Sequence, residues 1–390
     1  MFSHTLHSLI NRLLNAVPLL IAVIAALVVA SFMLVALNAD VGTAYTAMFQ
    51  GAFGTENATA ETLVKSIPIL FVAIGICIAF RGNVVNIGGE GQMIFGALAG
   101  VAVALWIGES LGWLVIPLAL IAGFLAGGFF GGLAGYLKAY FNVNEILSTI
   151  MLNQVAVQIM NFMLNGPLLD PATAGSNNIP KTARIAEIAE LPRLVFGLPG
   201  MSEPLFDRTR LHFGFVVAVA LAIFIYILLW RTSIGYRIRA VGYNERASRY
   251  AGINVKRQMI LAMFLAGGCA GLAGVVQVLG LQYRLQTDGS PAGFTGGAGF
   301  NGIVAALFGG LNPFGAIPAA IFFGGLLVGA QNMQRAVGIP AALVTTINGL
   351  IVVFVVSSQI FNQVRSRRRL KQPPAPERVE SRTAVAENPT

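Results

Sequence analysis

Apolar runs long enough, or nearly long enough, to cross a hydrocarbon core recur along the whole chain. Ten are read, at residues 17–37, 63–80, 91–107, 113–137, 146–164, 213–230, 259–279, 299–311, 314–331 and 340–361. The pattern predicts an all-α, polytopic integral membrane protein with about ten transmembrane helices. The first run, 21 residues long, is expected to be a retained span rather than a signal peptide. Three polar intervals are longer than simple turns: 38–62, 165–212 and 231–257. The second holds six prolines from Pro167 to Pro204 and is expected to form an ordered, irregular cap with a short helix near 183–191.

Composition agrees with this pattern: 56% of the residues are hydrophobic and 11% charged, far from the roughly one quarter charged of soluble chains. A net charge of +9 suggests nucleic acid until the charges are placed. With ten crossings, seventeen of the 25 Lys and Arg residues fall on the side of the two termini, seven of them between Arg231 and Arg257. That asymmetry is the positive-inside pattern, so both termini are expected to be cytoplasmic and nucleic acid is not an expected partner. The expected organisation is a first helix and outer loop (1–62), a transmembrane core (63–361) carrying the outer insert 165–212 and the basic loop 231–257, and a disordered basic tail (362–390). Cys77 and Cys269 lie inside apolar runs and read as packing residues.

Glycines recur within the spans at four-residue spacing, at Gly123, Gly127, Gly131 and Gly135, and again at Gly267 and Gly271 and at Gly325 and Gly329, which predicts close helix contacts. Segments 81–100 and 296–315 differ: each joins a polar, glycine-rich bend to an apolar run too short to span comfortably. Matched interruptions of this kind point to half-helices meeting near the membrane midplane, either as a real inverted repeat or as a chance likeness. Glu90 is the one carboxylate placed within the membrane zone, flanked by Asn86 and Gln92, and Asn301 stands in the second bend. Glu90 either locks its own bend as a cap or touches solute. In the fifth run Gln154, Gln158, Asn161 and Asn165 share one helical stripe, facing either a translocation path or neighbouring helices that they bind. Thr345, Asn348 and Gln359 make a sparser stripe in the last run.

Catalytic apparatus is missing: no Gly-Lys dipeptide of a P-loop, no HExxH spacing among His4, His7 and His212, and no Gly-x-Ser-x-Gly elbow. An ion-coupled transporter would need several midplane ionisable groups, and Glu90 alone qualifies. The loop RTSIGYRIRAVGYNERASRYAGINVKR has small residues (among them Gly242 and Ala247) between its charges; a short helix from Asn244 to Ala251, capped by Asn244 and ended by Gly252, would present Glu245 and Arg249 to a soluble partner.

Four stretches carry a family resemblance: NVVNIGGEGQMIFGALAG from Asn83, NVNEILSTIMLN from Asn142, GYRIRAVGYNERASRYAGINVKR from Gly235 and GFNGIVAALFGGLNPFGAIPAAIFFGGL from Gly299. Together they resemble the permease subunits of bacterial ABC importers, in the group holding ribose-type and branched-chain amino-acid permeases, and Asn-Ile-Gly-x-Glu-Gly-Gln at 86–92 is similar to the nucleoside and simple-sugar branch. The resemblance covers about 63–361 and implies an inner-membrane importer subunit for a nucleoside or a pentose or hexose. It also implies that Asn244 to Gly252 is the coupling helix, with Ser248 for a consensus Ala and Arg246 for a consensus Glu. Its implied partners are ABC ATPase subunits using ATP and Mg, a second and different permease chain, an extracytoplasmic solute-binding protein and the bilayer. No cofactor is expected on this chain.

Overall fold

The computed structural model describes residues 21–173, 179–195 and 205–340, with scattered positions from 346 to 357. Most of the last apolar run lies outside the described residues, with Thr345, Asn348 and Gln359, as does the tail 362–390. The helices are α1 (Ile21–Ala36), α2 (Val41–Phe53), α3 (Glu56–Arg81), α4 (Gly89–Leu111), α5 (Val115–Phe141), α6 (Glu145–Leu164), α7 (Gly214–Arg231), α8 (Ser233–Tyr243), α9 (Glu245–Tyr250), α10 (Val255–Gln277), α11 (Pro291–Thr295), α12 (Ala298–Phe308) and α13 (Pro313–Val337). Among the described residues, seven helices (α3 to α7, α10 and α13) are long and apolar enough to cross a membrane, and α1 and α12 are shorter apolar helices. The protein is thus a polytopic all-α membrane protein.

At its centre stand α3 and α10, buried on nearly every face, with Cys77 and Cys269 free and buried among their apolar neighbours. The predicted glycine stripe of α5 packs on α10. A Cβ at Gly127 would lie 2.5 Å from the Gly267 carbonyl oxygen and 2.6 Å from Gly271 Cα, so only glycine lets these backbones touch.

The interval 38–62, read from sequence as a loop, holds α2 and about the first two turns of α3. Asp40 starts α2 by accepting the Gly42 and Thr43 N–H groups at 3.1 and 3.2 Å. Its hydrogen bond from the Thr43 hydroxyl, with those amides, holds its carboxyl below the usual range. The insert is irregular as expected, but the helix near 183–191 is replaced by one 3-10 turn, Glu187–Ala189. Its N–H groups bond outside the segment: Thr182 to the Leu285 carbonyl (2.9 Å), Ile185 to that of Tyr283 (3.0 Å) and Leu191 to that of Leu279 (2.8 Å). The insert therefore straps the chain that follows α10.

Candidate functional site: two interrupted helices and a projecting one

The chain breaks its helices twice at the same depth. After α3 ends, residues 82–88 turn back into the bundle, so that a Cβ on Gly89 would sit 3.2 Å from Val72 Cγ1. Val72 lies nine residues before Arg81, a re-entry of about 13 Å at 1.5 Å per helical residue. On the other side, α10 continues through a π-helical turn at Val278–Gln282, the chain is irregular to Ser290, and α11 and α12 follow with Gly296 and Gly297 between them at φ 62° and 76°. Gly302 of α12 also abuts Val72. The sequence pattern suggests two matched half-helices; the described residues hold one of the two, the 11-residue α12, whereas the first break precedes a continuous 23-residue α4 because nothing polar interrupts Met93 to Ala104.

Neutral amides close the first break. Asn86 and Gln92 bond each other twice, amide nitrogen to amide oxygen, at 2.9 Å each, and Asn86 Oδ1 also accepts the Gly88 N–H at 2.9 Å. From α6, Asn153 accepts the Gly91 N–H at 2.8 Å and donates to the Ile87 carbonyl at 3.1 Å, while Thr149 Oγ1 accepts the Ile87 N–H at 3.4 Å. Asn86 and Gln92, expected along a solute path, are instead buried with their amides spent on one another.

Glu90 closes the second break. Its Oε1 accepts the Gly299 N–H at 2.9 Å and the Phe300 N–H at 3.3 Å, and the Thr295 hydroxyl donates to Oε2. It is a cap, but of α12 and not of its own bend: α4 begins at Gly88 without any side-chain cap, and the Glu90 side chain points across to the free donors of the short helix. With 2% of its surface exposed, Glu90 is enclosed by these bonds. Asn301 is half-buried in the first turn of α12, its N–H on the Gly297 carbonyl at 3.0 Å.

On α6 the face assignment changes. Gln154 and Gln158 are exposed beside Val155 and Phe162 on the outer surface of the chain, Asn161 is half-buried, and the amide turned into the core is Asn153, outside the predicted stripe.

In the basic loop, α9 follows the sequence expectation: Asn244 accepts the Ala247 N–H at 3.0 Å, and Gly252 ends the helix at φ 78° with open space around its Cα. Ala247, Arg249, Tyr243 and Tyr250 are exposed and Glu245 is half-buried. Gly242 does a different job from its neighbours. A Cβ there would lie 1.9 Å from the Arg81 carbonyl oxygen, so Gly242 lets α8 sit against the end of α3. Arg81 and Arg239 both lie over the Trp230 ring, at 5.4 and 5.8 Å, and Arg81 Nη2 donates to the Leu311 carbonyl at 3.3 Å, just past α12. A continuous set of contacts thus runs from α9 and α8 to the far end of the helix that Glu90 caps. Sequence reasoning missed Arg81, Trp230, Asn153 and Thr295. Asn153 was visible as one more amide in an apolar run, but the other three gain meaning only from contacts far along the chain.

A family model described as branched-chain amino acid transport system / permease component matches residues 58–356. A glucose ABC transporter permease protein of Haloferax volcanii is 34% identical over 347 residues, 88% of each chain. A guanosine ABC transporter permease protein of Bacillus subtilis is 34% identical over 366 residues, covering 93% of this chain and 99% of its own. A nucleoside ABC transporter permease protein of Lactococcus lactis is 30% identical over 345 residues, 88% of this chain and 92% of its own. No solved structure is significantly similar to the chain. A match to the family model over most of the transmembrane core, with relatives aligned nearly end to end, identifies the chain as a member of this family of permease components, the multi-pass inner-membrane subunits of ABC transport systems.

Proposed function

We propose that the chain imports a nucleoside by alternating access, with both termini and α9 in the cytoplasm, and that ATP with Mg is hydrolysed by partner subunits. The observation that carries the coupling role is α9 itself: a six-residue helix exposing Arg246, Arg249 and Tyr250, rooted through α8 and Gly242 on the end of α3. Ala247 and Gly252, with Asn244 and Glu245, form the surface offered to an ATPase groove. The nucleoside assignment rests on the Bacillus and Lactococcus relatives. A sugar is the second reading, supported by the equally similar glucose permease relative. The exposed face of α6 supports a second permease subunit, because Gln154 and Gln158 against lipid tails would leave amide groups unpaired. On this reading they face the seam between two permeases, where solute passes from an extracytoplasmic binding protein, and Asn161 stands at its edge.

The test is reconstitution with the cognate ATPase, second permease and binding protein in proteoliposomes, following uptake of labelled guanosine and of labelled glucose. ATP-dependent guanosine uptake that excess nucleoside suppresses and glucose does not is the expected result. The reverse pattern establishes the sugar reading, and uptake without ATP overturns both.

A further inference from the structure

A chamber of about 230 Å³ opens inside the single chain, on the side of the second break that faces away from α9. Its walls come from the first half of α3, the end of α10 with its π-turn, α11 and the second half of α13. Such a space among apolar helices is expected to be lined by apolar side chains, yet several polar groups line it and one of them is buried without a partner. The Gln282 amide oxygen is buried without a hydrogen bond. Lys65, half-buried, forms no ion pair among the described residues, and Gln331, exposed at the rim, makes no side-chain hydrogen bond among them. His212 accepts the Gly214 N–H on Nδ1 at 3.2 Å, which fixes the proton of the neutral ring on Nε2. Burial lowers the His212 pKa to about 4, so the ring is neutral at physiological pH. Pro68 in the same wall supplies no N–H to the Val64 carbonyl.

Lys65 and His212 offer donors, Gln282 and Val64 offer acceptors, and Gln331 offers both. Nothing in this set is anionic. The lack of a carboxylate disfavours a cation, the Lys65 charge is only half-buried, and the remaining groups suit a neutral ring bearing hydroxyl or carbonyl groups on several edges; the floor, Thr295 to Ala298, is the break that Glu90 holds. We propose that this chamber is a solute-binding site within one chain, receiving one ring of a nucleoside or sugar before it reaches the seam between permeases. The proposal rests on the transport reading above and adds a place for the solute that the relatives' names do not give.

Cys77 and Cys269 are buried, so with cysteine-free partner subunits a single introduced thiol can be read alone. In the assembled transporter in nanodiscs, Gln331→Cys is modified by a membrane-impermeant methanethiosulfonate, and guanosine, glucose and guanosine 5′-phosphate are tested as protectants. A solute at ten times its dissociation constant is expected to slow modification about tenfold. Adding Gln282→Met removes an acceptor that has no partner in the free protein, so Tm should hold or rise while the protecting concentration increases about tenfold. A solute that competes for uptake yet leaves modification unchanged overturns the site and leaves the transport reading standing. Protection by a ring solute that is not transported sustains the site and overturns that reading. Protection by the phosphate alone refutes a site for neutral rings.

Discussion

The two breaks lie at one depth and touch each other, but they are closed by different chemistry. The first is closed by uncharged amides, two of them within its own turn and one from α6. The second has one local bond, the Gly297 N–H on the Thr295 hydroxyl at 3.3 Å, but the first N–H groups of α12 rely on a carboxyl group about two hundred residues earlier in the chain. The paired amides Asn86 and Gln92 bond within six residues of each other and so depend least on changes elsewhere in the molecule. A single charged cap reaching between two halves holds only while the halves keep their spacing. The first break is accordingly a fixed joint and the second a conditional one. The conditional joint is also the one whose far end reaches Arg81, Trp230 and the root of α9.

The largest effect should come from Glu90→Ala, which leaves the Gly299 and Phe300 amides without their acceptor and should cost about 3 kcal/mol. Thermal unfolding of the purified chain, with uptake of every solute reduced alike, checks it; a stable variant that loses one solute selectively would make Glu90 a solute contact instead. Asn153→Ala should cost about 2 kcal/mol by leaving the Gly91 N–H and the Ile87 carbonyl unpaired. Hydrogen exchange should then rise at 86–92 and stay unchanged at 298–302, and exchange rising equally at both would mean that the joints are not independent.

The third prediction uses pH. His212 packs over the π-turn, where a Cβ on Gly280 would lie 2.5 Å from its ring, and its folded pKa of about 4 lies below the ordinary 6.5. The unfolded chain then takes up a proton first, so this contribution is complete above pH 6.5 and is lost as pH falls toward 4. By pH 5.5 the loss should be about 1 kcal/mol, and His212→Gln should flatten that part of the Tm profile. The smallest effect is expected from Gly252→Ala, about 1 kcal/mol from its positive φ alone, since no described atom crowds the site. Its signature is functional: fewer solutes moved per ATP, with assembly intact.

Much of the bundle was legible because hydrophobic runs have lengths, and α9 was legible because a cap residue and a terminating glycine are local signals. Glu90 was visible as a charge in an apolar zone, but its partners were not, since nothing near residue 90 specifies Gly299. The α6 stripe shows the limit of periodicity. Spacing puts Gln154 and Gln158 on one face without saying whether that face meets the core, and the chain turned Asn153 inward instead. Helix α2 was missed because its start lies in the Asp40 cap, in an interval whose polar residues otherwise read as a loop.

The seam between α5 and α10 carries one more consequence. Side chains that interlock can change rotamer and let two helices slip in small increments, whereas Gly127 and Gly267 meet backbone to backbone and leave no torsion to adjust. Any stroke that the transporter makes must carry these two helices together as one beam, and the compliance has to lie elsewhere in the molecule.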